Sequence, residues 1–173
     1  LNFEGDWRSS KKIAGGGILL DQGIHLVDLL RHFCGEFSEV KSFVSNKFWN
    51  LKIEDNAYAI MRSNQNVVAM LHSSATKWLH EFRIELMLEK AQINLKGLIT
   101  GSRSYGDETM QIFEKNKKKK GVLLKFNKDL SWKRETSEFI NCLIKNKKIQ
   151  IGSIFDSMKV MELISKIYKS DKF

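Results

Sequence analysis

Gly15-Gly16-Gly17-Ile18-Leu19-Leu20-Asp21-Gln22-Gly23-Ile24-His25-Leu26-Val27-Asp28 is the stretch on which the reading of this 173-residue chain turns. Three glycines interrupt the chain. An apolar segment over residues 18–33 follows, and Gly35 offers a helix stop. The pattern predicts a helix over about 18–33, its first turn disturbed by Gly23. Within it Asp21, His25, Asp28 and His32 fall at i, i+4, i+7 and i+11 and share one side. Leu19, Leu20, Leu26, Val27, Leu30 and Phe33 cover the rest and should pack on a sheet. Burying an Asp or His without a partner is costly, so the polar stripe must be paired internally or face a cleft.

Three chemistries fit the stripe. Asp21 and His25 could form a structural pair one helical turn apart. They could share a metal ion, although no further ligand set is visible in the sequence. They could also work as an acid/base pair. A carboxylate beside an imidazole stabilises the imidazolium and orients the ring, so His25 could exchange a proton with a substrate hydroxyl. The glycines ahead of the helix would let a ligand approach the backbone.

Outward from this helix the period changes. Phe82, Ile84, Leu86 and Leu88 alternate with Arg83, Glu85, Met87 and Glu89, which predicts a strand with one buried face. Residues 40–48, 56–62, 67–74, 92–96 and 110–115 carry similar, shorter patterns. Ser63-Asn64-Gln65-Asn66 has the composition of a hairpin turn, and Glu89-Lys90-Ala91-Gln92 makes a poorer one. Residues 132–146 read as a helix with Phe139, Cys142 and Leu143 on one side. Ser153-x-x-Asp156 is a capping-box pattern opening a last helix, whose apolar stripe reads as Ile154, Met158, Met161 and Ile164 or Tyr168. One helix, about six strands on short turns and two helices predict an α+β fold. Its sheet should be open and mainly antiparallel, with helices packed on one face. The other face, made sticky by residues such as Met70, His72, Trp78 and Met87, suggests a homo-oligomer.

Composition narrows the function. Lys and Arg number 29 against 20 Asp and Glu, a formal charge of +9. The excess lies in two runs, Lys115 with Lys117 to Lys120, and Lys145 with Lys147 and Lys148, both where turns are expected. No aromatic residues interleave the first run, as a surface for stacking bases would require, so the runs read as solvated loops and no nucleic-acid partner is expected. No apolar run approaches the roughly 18–20 residues of a membrane span, so no membrane partner is expected either. Cys34 and Cys142 make neither a disulfide framework nor a metal-type pair, which points to a reducing, cytoplasmic setting.

The opening stretch resembles the signature GGGxLxDxGxHxxD, which begins the C-terminal domain of the Gfo/Idh/MocA family, the glucose–fructose oxidoreductase and inositol dehydrogenase group. Trp7-Arg8 ahead of the glycines is similar to the family too. So are Glu54-Asp55-Asn56-Ala57, Leu71-His72-Ser73-Ser74-Ala75-Thr76-Lys77-Trp78, Ser104-Tyr105-Gly106-Asp107-Glu108 and Ile167-Tyr168-Lys169-Ser170.

The resemblance implies an enzyme in which a Rossmann domain binds NAD or NADP, and a C-terminal open-sheet domain supplies the substrate site and the oligomer contact. A hydride passes between nicotinamide and a secondary alcohol carbon of a sugar, nucleotide sugar or cyclitol. Carried over residue by residue, the catalytic pair falls on Asp21 and His25. Asp28 matches a third acid that binds substrate or supports the helix, Trp7 and Arg8 lie near the substrate, and His32 is structural. No metal is implied. No G-x-G-x-x-G follows a strand here, and the family's Glu-Lys-Pro motif, whose lysine helps polarise the substrate oxygen, is absent. Residues 1–173 are therefore expected to be the C-terminal substrate-binding and oligomerisation domain of a longer enzyme, inactive alone, with little affinity of their own for the cofactor. The alternative is a non-catalytic binding or oligomerisation module of the same fold. A third class, polyanion binding through the lysine runs, predicts salt-dependent retention on heparin.

Overall fold

The computed structural model describes residues 6–115 and 121–171. The Lys117 to Lys120 run lies outside the described residues. The chain divides into two compact units, Leu1–Thr76 with Ile149–Phe173, and Lys77–Lys148.

The first unit holds the glycine stretch. A 3-10 turn, Trp7–Ser9, and a one-turn helix α1, Lys11–Ala14, precede the glycines. Asp6 caps the first by accepting from the Arg8 N–H, and Gly15 ends the second with φ 82°, a left-handed value that glycine adopts without strain. The predicted helix then follows in two parts: a π-helical turn, Leu19–Gly23, running into α2, Ile24–Cys34. By length and composition Lys11–Cys34 could cross a membrane. The sequence holds no unbroken apolar run of that length there, so its pattern does not single this segment out. In the fold it is broken at Gly15 and buries Leu19 and Val27 in the core.

Three antiparallel strands follow: β1 Phe37–Ser45, β2 Asn56–Ser63 and β3 Val68–Ser74, in the order β1-β2-β3. Side chains alternate strictly along β2 and β3, Ala57, Ala59, Met61, Ala69 and Leu71 turning inward. The hairpin expected at Ser63–Asn66 forms, with Asn66 at φ 65°. α4, Ile154–Asp171, and α2 cover the inner face, so the core unites Leu19, Val27, Phe37, Leu71, Val160, Leu163, Ile164 and Ile167. The buried stripe of α4 is therefore Val160, Leu163, Ile164 and Ile167. Ile154, Met158 and Met161 lie on the next face round and are exposed. Both sets have helical spacing, and packing on the sheet buries the first.

The second unit is an antiparallel meander, β4 Arg83–Met87, β5 Ala91–Lys96, β6 Glu108–Glu114 and β7 Val122–Phe126, with α3, Ser131–Ile144. The α+β class holds, but among the described residues seven strands form two antiparallel sheets rather than the single sheet of about six expected. β7 escapes the sequence reading because all five of its residues are exposed and show no period-2 signal. The Glu89-Lys90 turn closes by the Leu88 N–H donating to the Ala91 carbonyl without any positive φ. α3 buries only Cys142, so its Phe139 and Leu143 side is open. Lys115, Lys145, Lys147 and Lys148 are exposed.

Candidate functional site

The site begins with backbone N–H groups. A helix leaves its first donors unpaired, and Ile18, which precedes the π turn, has no side chain able to cap it. Glu54, just before β2, supplies the acceptors. Its Oε2 accepts from the Gly17 N–H at 2.8 Å, its carbonyl from Ile18 at 3.2 Å, and its Oε1 from Leu19 at 3.0 Å. The Tyr168 hydroxyl of α4 donates to the same Oε1 at 2.7 Å. Burial, then the charge and hydrogen bond of Glu54, push the Tyr168 phenol well above its usual range, so it stays a donor. Glu54 is 2% exposed.

The glycines are explained by this packing. A Cβ on Gly17 would stand 2.1 Å from the Glu54 carbonyl oxygen, and one on Gly16 2.3 Å from the Tyr168 hydroxyl. One on Gly23 would meet the Ser73 hydroxyl at 2.8 Å, and that hydroxyl donates to the Ile18 carbonyl at 3.2 Å. The glycines thus admit the sheet and α4 to the helix start, in addition to any ligand. π turns are rare and occur often at functional sites. This one carries Asp21.

In front of the turn lies a cavity of ≈ 210 Å³ lined by Trp7, Arg8, Ala14, Gly16, Gly17, Leu20 and Asp21. Trp7, Arg8 and Asp21, three of the residues singled out in the sequence, meet here. The Arg8 guanidinium lies over the Trp7 ring at 4.5 Å and reaches the carboxylates of Asp6 at 3.5 Å and Asp21 at 3.6 Å. Asp21 also accepts from Gln22 Nε2 at 3.2 Å. Among the described residues no hydrogen bond links Asp21 to His25. His25 and Asp28 are both exposed on α2, outside the cavity lining. Asp28 pairs with Arg31 at 3.9 Å, and His32 meets Phe33 edge to face. Asp21 stands in the π turn and His25, Asp28 and His32 in α2, so the four do not share one uninterrupted α-helix.

Glu54 and Tyr168 were visible only as parts of supporting motifs. The usable signal was a Glu-Asp pair at the mouth of an alternating strand, where a buried acid needs donors. Asp55 beside it is also buried, and its carboxylate accepts from the Phe48 and Trp49 N–H groups, shaping the 46–50 turn. Among the described residues no three His, Cys, Asp or Glu side chains converge as a metal site would need.

An open antiparallel sheet with two helices on one face, a glycine-led helix start and a cavity beside Trp7, Arg8 and Asp21 make up the first unit, an α+β arrangement. The chain belongs to the GFO/IDH/MocA family: the family's C-terminal domain model matches residues 2–94. No curated protein matches the chain by sequence. Among solved structures it is similar to aldose-aldose oxidoreductase from Caulobacter crescentus, complexed with glycerol (TM-score 0.78, 18% identity, covering 99% of this chain and 50% of that one). It is also similar to UDP-N-acetylglucosamine 3-dehydrogenase GnnA from Acidithiobacillus ferrooxidans (0.74, 16%, 90% and 48%). A third is the WlbA dehydrogenase from Bordetella pertussis, in complex with NADH and UDP-GlcNAcA (0.67, 19%, 91% and 43%). At these identities the likeness concerns the fold, and the chain spans about half the length of the structures it matches.

Proposed function

We propose that this chain is the substrate-binding part of a nicotinamide-dependent dehydrogenase acting on a secondary alcohol of a sugar, nucleotide sugar or cyclitol. The observation that carries the reading is the convergence of Trp7, Arg8, the Gly16-Gly17 backbone and Asp21 on one cavity. An aromatic face, a guanidinium and a carboxylate are the groups a polyhydroxylated ring needs. The names of the solved relatives, which include dehydrogenases and oxidoreductases of sugars and nucleotide sugars, support the same class.

Among the described residues the glycine stretch makes no cradle for a dinucleotide. Gly16 and Gly17 turn their Cβ positions onto Tyr168 and Glu54, and no G-x-G-x-x-G occurs in the chain. NAD or NADP is therefore held mainly by a Rossmann domain outside this chain, and residues 1–173 alone bind it weakly and turn nothing over. When bound, the nicotinamide supplies the hydride acceptor. The chain's own part is the proton. His25, exposed on the first turn of α2, takes the hydroxyl proton as the alcohol carbon becomes a carbonyl, and the Asp21 carboxylate one turn earlier, not hydrogen-bonded to the ring in this structure, favours its charged form by its negative charge. Arg8 and Trp7 hold the sugar, with Asp28 of α2 a further contact to it or a support of the helix through Arg31. Such acid/base help is worth about 10² to 10⁴ in rate.

The test is a panel of sugars and nucleotide sugars with both nicotinamide cofactors and the full-length enzyme, followed by His25→Ala. The expected outcome is a kcat lower by about 10²-fold or more with cofactor affinity retained. Near-normal turnover of the variant removes His25 from the role. The exposed outer face of the β1–β3 sheet further supports a homo-oligomer, and the two free cysteines support a reducing, cytoplasmic setting.

A further inference from the structure

The acid that holds the start of the turn from outside it is Glu54, and it does not line the cavity. It holds three successive donors, Gly17, Ile18 and Leu19, from a position 35 to 37 residues away in sequence. Gly17 in turn accepts from the Asp21 N–H through its carbonyl at 2.9 Å. The path from the buried carboxylate to Asp21 is thus Glu54 to Gly17 to Asp21, two hydrogen bonds long. Gly16 and Gly17, whose Cβ positions are filled by Tyr168 and Glu54, are themselves cavity wall. A carboxylate at a helix start is favoured by the helix dipole. A local serine or aspartate would meet that need. Glu54 instead gathers the sheet, α4 and the glycine segment on a single side chain. Any movement of it reaches both the cavity wall and Asp21.

We propose that Glu54, locked by the Tyr168 hydroxyl, is a positioning residue that sets the Leu19–Gly23 turn and with it the place of Asp21 beside the cavity. The inference rests on the dehydrogenase reading above. Glu54 acts only through Gly17 and Leu19, since it lies behind them and does not meet the substrate. Two substitutions separate its parts. Tyr168→Phe removes one donor and leaves the carboxylate on its two N–H groups. Glu54→Gln keeps the volume, but its NH₂ group faces donors where an acceptor is required.

The experiment uses the full-length enzyme with the sugar that gives turnover, counting rates per mole of folded protein. Tyr168→Phe should lower kcat by about 3- to 10-fold and Glu54→Gln by about 10- to 100-fold, since a displacement of about 1 Å in a reacting group can cost 10² in rate. KM for cofactor should stay within about 2-fold, because cofactor is held elsewhere. Independently of turnover, the Asp21 backbone amide resonance should move in Tyr168→Phe. Wild-type kcat in both variants, or an unmoved Asp21 amide, overturns the proposal. If Glu54→Gln does not fold, Tyr168→Phe decides alone. His25→Ala runs in parallel. If it turns over normally, the base assignment falls and Asp21 has no ring to support. If it is dead while the other two run at full rate, only the positioning role falls.

Discussion

At Gly17 the backbone runs so close to the Glu54 carbonyl that no side chain fits. A Cβ there would sit 2.1 Å from that oxygen, which is backbone and cannot swing aside. Gly17→Ala should therefore cost about 1–3 kcal/mol of stability, the usual range for overpacking. A urea midpoint equal to that of the parent would show that the β2 entry gives way at no cost. Arg8 shows the opposite balance. Its pair with Asp21 at 3.6 Å involves side chains 40% and 32% exposed, so its loss should change stability by under about 1 kcal/mol. Its guanidinium nevertheless faces the cavity beside Trp7. Arg8→Gln should raise substrate KM by about 10-fold, the worth of one charge-assisted hydrogen bond, with kcat nearly kept. Steady-state kinetics on the full-length enzyme beside a melting curve separates the two effects, and an unchanged KM would take Arg8 out of sugar binding. Asp21 could be singled out from the sequence because its type and its spacing from His25 carry chemistry, and Trp7-Arg8 because the resemblance to the family implies a place near the substrate. The Glu54–Tyr168 bond could not, since its partners are far apart in the chain and meet only when α4 lies on the sheet.

Among the elements, the start of α4 shows how a local signal survives folding. Ser153 and Asp156 form the reciprocal capping box: the Asp156 N–H donates to the Ser153 hydroxyl oxygen at 3.3 Å, and the Asp156 carboxylate accepts the Ser153 N–H at 2.9 Å. The Ser153 hydroxyl and N–H, with Arg31 nearby, hold the Asp156 carboxyl below the usual carboxylate range. Ser153→Ala should destabilise by about 1 kcal/mol at neutral pH. Because the folded-state value is depressed, the stabilising effect of Asp156 is fully present above the ordinary aspartate value of about 3.9 and is lost as pH falls through the lower folded value. The gap between parent and Ser153→Ala melting temperatures should therefore narrow in acid below about pH 4, and a gap constant down to pH 2 would contradict the pairing. The box and the strict alternation of β2 and β3 are local patterns and were legible. The face of α4 that is buried was not, because two apolar stripes compete and only the sheet selects Val160, Leu163, Ile164 and Ile167. A disturbed first turn was legible at Gly23, but its π form was not, and the close approach of Ser73 to Gly23 is a tertiary contact that no local pattern shows.

For the molecule as a whole, the first unit covers one face of its three-stranded sheet with α2 and α4 and leaves the other bare. Register lays three rows across that bare face: Phe43, Tyr58 and His72; Lys41, Ile60 and Met70; Glu39, Arg62 and Val68. Phe43 is 75% and Met70 76% exposed, and the Tyr58 and His72 rings stack at 4.2 Å. Of the four residues expected to make one sticky face, Met70 and His72 are here, whereas Trp78 and Met87 belong to the second unit, because the strands divide into two sheets. Each fully buried side chain of Phe, Ile or Met size gains about 1.5–3 kcal/mol, so a second copy meeting this face could recover much of what solvent exposure forfeits. The mixed charges of Glu39, Lys41 and Arg62 at one end also suit a self-complementary contact. Light scattering of the full-length protein should therefore show a dimer or larger assembly. Ile60→Glu with Met70→Glu should shift it toward monomer while leaving the far-ultraviolet circular dichroism unchanged, since both side chains point away from the core. A parent that stays monomeric at high concentration, or a double variant that still assembles, would place the oligomer contact elsewhere.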